Sequence, residues 1–257
     1  MTAPRRPLAL VTGASQGIGA AVARLLAPRY DLLLGGRDAG RLDAVASELT
    51  GGPGSARAWP VELTDHDALA CAVNGIDRLD VLVHSAGVGL LGTVEETAAD
   101  TWRQQFEVNV VAVAELTRLL LPALRAAGHD TGSDVVLINS GSGLNARAGW
   151  GSYAASKFAL RAFGDALRAE ESGRGVRVTS VHPGRVDTAM QRAVVEHEWR
   201  AAGTSIGTER RAAGTSIGTE YDGSKFLRPE SVAAAVLTAV TASRDAHLTE
   251  VVLRPGG

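Results

Sequence analysis

One cysteine, Cys71, is all the chain contains, so no disulfide can close within it and no thiolate zinc site can be assembled. That argues against a zinc-dependent alcohol dehydrogenase and leads to the expectation of a reducing, cytoplasmic setting. Aromatic residues are scarce at 4%, which leaves core packing to Leu, Val and Ala. An excess of one charge is also missing: 26 basic against 28 acidic residues give a net charge of −2, without a Lys/Arg run. Nothing in that balance favours nucleic acid or an anionic membrane surface as a partner. Long apolar runs are absent too, because the richest, Val108 to Leu124, is interrupted by Glu115, Arg118 and Pro122. Arg5-Arg6 superficially suggests a twin-arginine signal, but the apolar stretch behind it stops at Thr12-Gly13, too short for a signal core. The histidines form no metal pattern. His197-Glu198 lacks the second histidine of a zinc-protease helix and His182 precedes a proline, so each is read as structural or solvated.

What is present is 45% hydrophobic residues in 257, enough for one sizeable core, and residues 1–257 are read as a single domain. Short Val/Leu runs bounded by Gly, Asp or Pro alternate with longer Ala/Leu/Arg stretches of helical period, the pattern of βαβ units. Strands are expected near 8–12, 30–35, 56–61, 80–84, 134–139, 176–182 and 249–253. Helices are expected near 17–27, 39–49, 65–73, 100–126, 152–171 and 229–242. The fold class is therefore α/β, a doubly wound parallel sheet of about seven strands with helices on both faces and a ligand at the strands' carboxyl ends.

One segment breaks the alternation: Arg200 to Glu209 reads RAAGTSIGTE, and Arg211 to Glu220 repeats it letter for letter. Two identical copies are too few and too short for a solenoid. Such identity points to a recent tandem duplication or a cloning artefact, within a flexible loop over 189–227 that is expected to cover the substrate.

The first strand runs into Thr12-Gly13-Ala14-Ser15-Gln16-Gly17-Ile18-Gly19. Glycine there permits a tight turn and close backbone approach, and the free N–H groups of the following helix attract a pyrophosphate. The same letters admit two other readings: a plain turn, and the G-x-S-x-G elbow of a serine hydrolase with Ser15 as nucleophile, although that elbow normally follows several strands. The second strand ends at Gly35-Gly36-Arg37-Asp38. A carboxylate at the tip would repel a 2′-phosphate, whereas glycine followed by arginine favours NADP(H). The competing possibility is that Arg37 is a solvated charge and Asp38 a helix cap.

Further on, the strand at 134–139 releases Ser140, and Tyr153 with Lys157 stands on the next helix. Positions i and i+4 share one face, so the ammonium can lie near the phenol. Bringing a tyrosine from about 10 to near neutrality needs on the order of 4 kcal/mol of preference for phenolate, which a buried ammonium and an oxidised nicotinamide can supply. A Tyr-x-x-x-Lys pair by itself is weak evidence. Together with the glycine turn and Ser140, the chain resembles the short-chain dehydrogenase/reductase family in its compact single-domain, NADP-preferring form, and the resemblance runs over nearly the whole length.

That resemblance implies a carbonyl reductase or alcohol dehydrogenase acting on a small molecule, with NADP(H) as cofactor, and it implies roles for individual residues. Tyr153 exchanges a proton with the substrate oxygen, Ser140 hydrogen-bonds the same oxygen, and Lys157 binds the nicotinamide ribose and lowers the phenol's pKa. Asn109 matches the family's helix asparagine, which holds a water linking the lysine to solvent. Gly13, Ser15, Gln16, Gly17, Ile18 and Gly19 cradle the phosphates; Arg37 meets the 2′-phosphate; Leu63 offers its N–H to the adenine. Ala86-Gly87 lies against the cofactor, and Pro183, Gly184, Val186 and Thr188 line the nicotinamide side. A homodimer or homotetramer through the helices at 100–126 and 152–171 is implied as well. Two positions depart from the pattern: His84-Ser85 stands where the family usually has Asn-Asn, and Glu62 stands where it often has aspartate. A regulator that binds NADP(H) without turnover is the alternative from another class, but it would be expected to have lost Asn109, Ser140, Tyr153 and Lys157.

Overall fold

The computed structural model describes residues 5–201 and 221–256. Most of the duplicated stretch, and with it the expectation of a flexible insertion, lies outside the described residues. Within them run β1 (Leu8–Thr12), α1 (Gly17–Leu26), β2 (Asp31–Gly36), α2 (Ala39–Glu48), β3 (Ala56–Pro60), α3 (His66–Ala72) and β4 (Val81–His84). Then come α4 (Ala99–Phe106), a π-helical turn (Glu107–Val111), α5 (Ala112–Asp130), β5 (Ser133–Ile138), α6 (Gly151–Glu170), β6 (Val176–Pro183), α7 (Ala189–Ala201), α8 (Pro229–Thr241) and β7 (Glu250–Leu253).

The strands form one sheet in the order β3-β2-β1-β4-β5-β6-β7, and every pairing is parallel. Strands buried on both faces need apolar residues at successive positions rather than at alternate ones. β1 illustrates this: Ala9 and Val11 enter one core with Val22 and Leu26 of α1 and Val232 and Val236 of α8. Leu10, between them, enters the other core with Leu116, Leu120 and Leu124 of α5 and Leu160 and Leu167 of α6. Each fully buried leucine or valine contributes about 1.5–3 kcal/mol relative to exposure, so the helices are held by their apolar stripes. The strand order reverses between β1 and β4, which opens a crevice at their carboxyl ends.

Two helical expectations are corrected. The single helix expected over 100–126 is broken by the π-helical turn Glu107–Val111, and its continuation α5 carries Pro122 inside and runs on to Asp130. A π turn inserts one residue into the helical ladder and so re-aims the side chains beside it. The segment from 189, expected as loop, begins instead with the thirteen-residue helix α7. Thr188 Oγ1 accepts from Gln191 N at its start, and Val194 and Val195 are buried beneath it.

Candidate active site

The turn after β1 can be built only from glycine at three places. Gly13 and Gly17 have φ of +65° and +55°, the left-handed region that side chains disfavour. A Cβ on Gly13 would stand 2.9 Å from the backbone of Ala86, and one on Gly19 would stand 2.2 Å from the Gly13 carbonyl oxygen. The turn is thereby pressed against Ala86-Gly87 beyond β4, where Ser85 N and Ala86 N both donate to Thr12 Oγ1, at 3.0 and 3.1 Å. Gln16 takes the N-cap position of α1 without a side-chain hydrogen bond. The first N–H groups of Gly17, Ile18 and Gly19 are thus left without a side-chain cap, the kind of helix start that can take an anion. Thr188 closes the other side: its methyl would lie 3.3 Å from a Cβ on Gly17.

Ser15 is half-buried in this turn, and no histidine hydrogen-bonds it among the described residues, so a Ser15 hydrolase lacks its base. At the tip of β2, Asp38 does cap α2, accepting from Arg41 N at 3.0 Å. Arg37 is a largely exposed side chain, but it is not free: its Nη1 lies 3.6 Å from Glu62 Oε2. Glu62 also accepts from Thr64 through its other oxygen, and Leu63 beside it is buried. The carboxylate at position 62 thus meets the arginine expected to meet a 2′-phosphate.

The four polar residues expected to carry chemistry converge below the crevice. Ser140 leaves β5 and N-caps a short 3₁₀ turn, its Oγ accepting from Ser142 N at 3.0 Å. Tyr153 and Lys157 lie one turn apart on α6, both buried. Lys157 Nζ donates to Ile138 O at 3.0 Å, which leaves two of its three donors for other acceptors. Asn109 sits in the π turn, fully buried. Its Oδ1 accepts from Val88 N and its Nδ2 donates to Val88 O, both at 2.9 Å, and Nδ2 also reaches Ser156 Oγ at 3.1 Å. Ser156 in turn donates to Tyr153 O at 2.8 Å. A Cβ on Gly87 would lie 3.1 Å from Asn109 Oδ1 and 3.9 Å from Lys157 Nζ, so this strand end, the π turn and α6 meet at one point.

Burial dominates the electrostatics. It pushes the Tyr153 phenol above its ordinary value, and the hydrogen bond with Ser140 acts in the opposite direction. It pulls Lys157 down to about 8. The ammonium stands 6.0 Å from the ring centroid, and among the protein's own side chains the Ser140 hydroxyl favours the phenolate.

His84, one of the two departures from the expected pattern, is buried and bonded through Nε2 to Thr117 Oγ1 at 2.9 Å. Thr117 donates its own hydrogen to Val113 O, so the hydrogen of this contact belongs to the imidazole. Burial lowers His84 to about 3, which keeps it neutral, and it anchors β4 to α5. His182, also buried, bonds through Nδ1 to Ser140 O at 3.1 Å, which supports the strand end that carries Ser140.

Sequence reasoning missed Gln105 and Ser152. Gln105 is buried, accepts from Leu90 N at 2.6 Å and donates to Ser152 Oγ at 2.8 Å, tying α4 to α6. It also missed the walls of a cavity of about 530 Å³ that opens above Tyr153 and Ser140. Those walls include Leu91, Trp150, Met190, Val194 and Phe226, with Pro183, Gly184, Val186 and Thr188 at one end. Trp150 meets Tyr153 edge-on, at 5.8 Å between centroids. The glycine cradle, the uncapped helix start and the two spare donors of Lys157 fit a dinucleotide laid across the crevice with its nicotinamide end in this cavity.

A family model described as short chain dehydrogenase matches residues 7–199. A glycine betaine reductase of Emericella nidulans is 30% identical over 261 residues, which cover 98% of this chain and 19% of that protein. Among solved structures, a candidate NAD(P)-dependent gluconate 5-dehydrogenase of Beutenbergia cavernae with bound NADP is 31% identical. It superposes with a TM-score of 0.80 over 99% of this chain and 97% of that one. The alcohol dehydrogenase of the archaeon Thermococcus sibiricus, complexed with 5-hydroxy-NADP, is 25% identical with a TM-score of 0.78, over 97% and 96% of the two chains.

Proposed function

The chain belongs to the short chain dehydrogenase family, and we propose that it is an NADP(H)-dependent oxidoreductase that interconverts a small carbonyl compound and its alcohol. Relatives with NADP or an NADP derivative bound support the cofactor. The observation that carries the reading is that Ser140, Tyr153 and Lys157 line one cavity, with Lys157 one turn beyond Tyr153 along α6.

NADPH, when bound, supplies a hydride to the carbonyl carbon. The chain's own residues do the rest. Tyr153 and Ser140 grip the substrate oxygen from one side, which orients it and polarises the carbonyl. Burial keeps the phenol protonated, the form that donates in reduction, and Tyr153 gives that proton to the oxygen as its charge develops. Lys157 would offer its two spare donors to the ribose hydroxyls, and its ammonium favours the phenolate left behind. Asn109 fixes the backbone at Val88 and the position of Ser156, holding the floor rigid. Gly13, Ser15, Gln16, Gly17, Ile18 and Gly19 take the pyrophosphate, Leu63 the adenine edge and Arg37 the 2′-phosphate, while Ala86, Gly87, Pro183, Gly184, Val186 and Thr188 bound the nicotinamide half.

A cytoplasmic homodimer or homotetramer completes the reading. Val111 and Phe158, apolar side chains exposed on the helices expected to pair, and the unpaired Cys71 support it. The test is NADPH oxidation followed at the nicotinamide absorbance against a broad carbonyl panel, with a chromogenic ester as control. Carbonyl-dependent oxidation of NADPH is expected; ester cleavage without it would contradict the reading.

A further inference from the structure

The cavity above Tyr153 is lined by five cationic side chains, Arg147, Lys157, Arg185, Lys225 and Arg254, and by no aspartate or glutamate. In a chain with more acidic than basic residues, that asymmetry marks the site rather than the whole surface. Three of the five charges are already engaged. Lys157 belongs to the catalytic floor, Arg185 is ion-paired with Glu198, and Lys225 lies 3.6 Å from Asp222. Arg147 and Arg254 at the mouth have no carboxylate within ion-pair distance among the described residues.

Of these two, Arg147 is the one placed by its surroundings. Its guanidinium stacks over the Trp150 ring at 4.5 Å from the centroid, and that same ring meets Tyr153 edge-on. Stacking orients a guanidinium while leaving its in-plane N–H fork open, and none of its donors bonds a protein group among the described residues. One indole thus separates an open fork from the phenol. Leu91, Met190 and Phe226 line the same cavity and give an apolar part of its wall.

We propose that the substrate is an anionic carbonyl compound, a carboxylate or phosphate ester whose acidic group is bound by Arg147 at the mouth while its carbonyl lies on Tyr153, several bonds away across Trp150. This rests on the reading of the site as a carbonyl reductase and adds the substrate class. Arg254 lies on the mouth against Gly141 and adds to the same positive field, which steers an anion inward.

The test uses the full chain with linear aldehyde acids of increasing length and their methyl esters as probes, in two measurements. In turnover with NADPH, an acid of suitable length is expected to exceed its ester about tenfold in kcat/KM, the scale of one partly solvated charge-assisted contact. Arg147→Gln is expected to remove most of that advantage through KM, with a much smaller effect on the esters, and Arg147→Lys to restore part of it. In calorimetric titration of the NADP⁺ complex, the acids are expected to bind about tenfold more tightly than the esters, less so as salt is raised. Equal binding of acid and ester at every length overturns the proposal, as does an equal loss for both in Arg147→Gln. Preferential binding of the acids without any NADPH oxidation leaves the anion site standing and overturns the reductase reading instead.

Discussion

Lys157 Nζ lies 6.0 Å from the centroid of the Tyr153 ring and donates to the Ile138 carbonyl at 3.0 Å. The two titratable groups therefore share one buried floor, and burial drives each towards its neutral form, the phenol upward and the ammonium down to about 8. Burial therefore keeps the phenol protonated near neutral pH, the state that the proposed reduction requires of it.

The lysine has a measurable linkage consequence. Its pKa is about 8 when folded and 10.5 when unfolded, so between those values the unfolded chain binds more protons and stability rises with pH. Relative to Lys157→Met, which removes the titration while filling the space, the wild type should gain about 3 kcal/mol between pH of about 7 and about 10.5. Denaturant unfolding of both proteins across that range checks it. Parallel curves would mean that the ammonium is not desolvated in the folded chain.

The proposed preference for NADP(H) rests on Arg37, whose Nη1 lies 3.6 Å from Glu62 Oε2. NADPH should exceed NADH clearly in kcat/KM, and Arg37→Ala should lower the NADPH value about tenfold or more, because a well-placed guanidinium–phosphate contact contributes a few kcal/mol. Glu62→Gln removes a competitor for the guanidinium, and because exposed pairs are worth about 0–1 kcal/mol, the NADPH preference should rise about threefold. Converting Gly36 to Asp together with Arg37→Ala should erase the preference, although the new Cβ must displace a Leu42 methyl 3.3 Å away. Steady-state kinetics with both cofactors is the measurement, and equal use of the two by the wild type would refute the role given to Arg37.

His84 is a stability residue. His84→Ala leaves a void and strands the acceptor lone pairs of Thr117, at a cost of about 2–4 kcal/mol. Thr117→Val should cost less. The double variant should lose less than the two single losses together, since both act on one buried contact. Denaturant midpoints of the four proteins test it, and strict additivity would deny the coupling.

How far the sequence speaks depends on whether a signal is local. All seven strands fall within a residue or two of their sequence-based positions, because each is a short apolar run closed by Gly, Asp or Pro. Tyr153, Lys157 and the glycine turn were legible for the same reason: spacing along one element carries the geometry. The π turn at Asn109 was not, since nothing in Glu107 to Val111 breaks the helical period. α7 was legible only weakly, since Met190, Val194 and Val195 alone mark an apolar face and Gly-rich copies follow it directly. Contacts across the fold had no local trace at all. Glu62 on Arg37, Ser140 on the phenol, and Arg147 over Trp150 beside a wall that includes Met190 and Phe226 arise only once the parallel sheet has brought distant loops to one edge.

The most direct test of the whole account is single-turnover reduction by Tyr153→Phe under saturating NADPH, with cofactor binding measured on the same sample. The ring's packing is kept and only the proton is removed, so the chemical step should slow by about 10²–10⁴-fold while NADPH affinity stays close to wild type. Hydride transfer at the wild-type rate in Tyr153→Phe would show that the phenol is not the proton donor and that the site works by some other group.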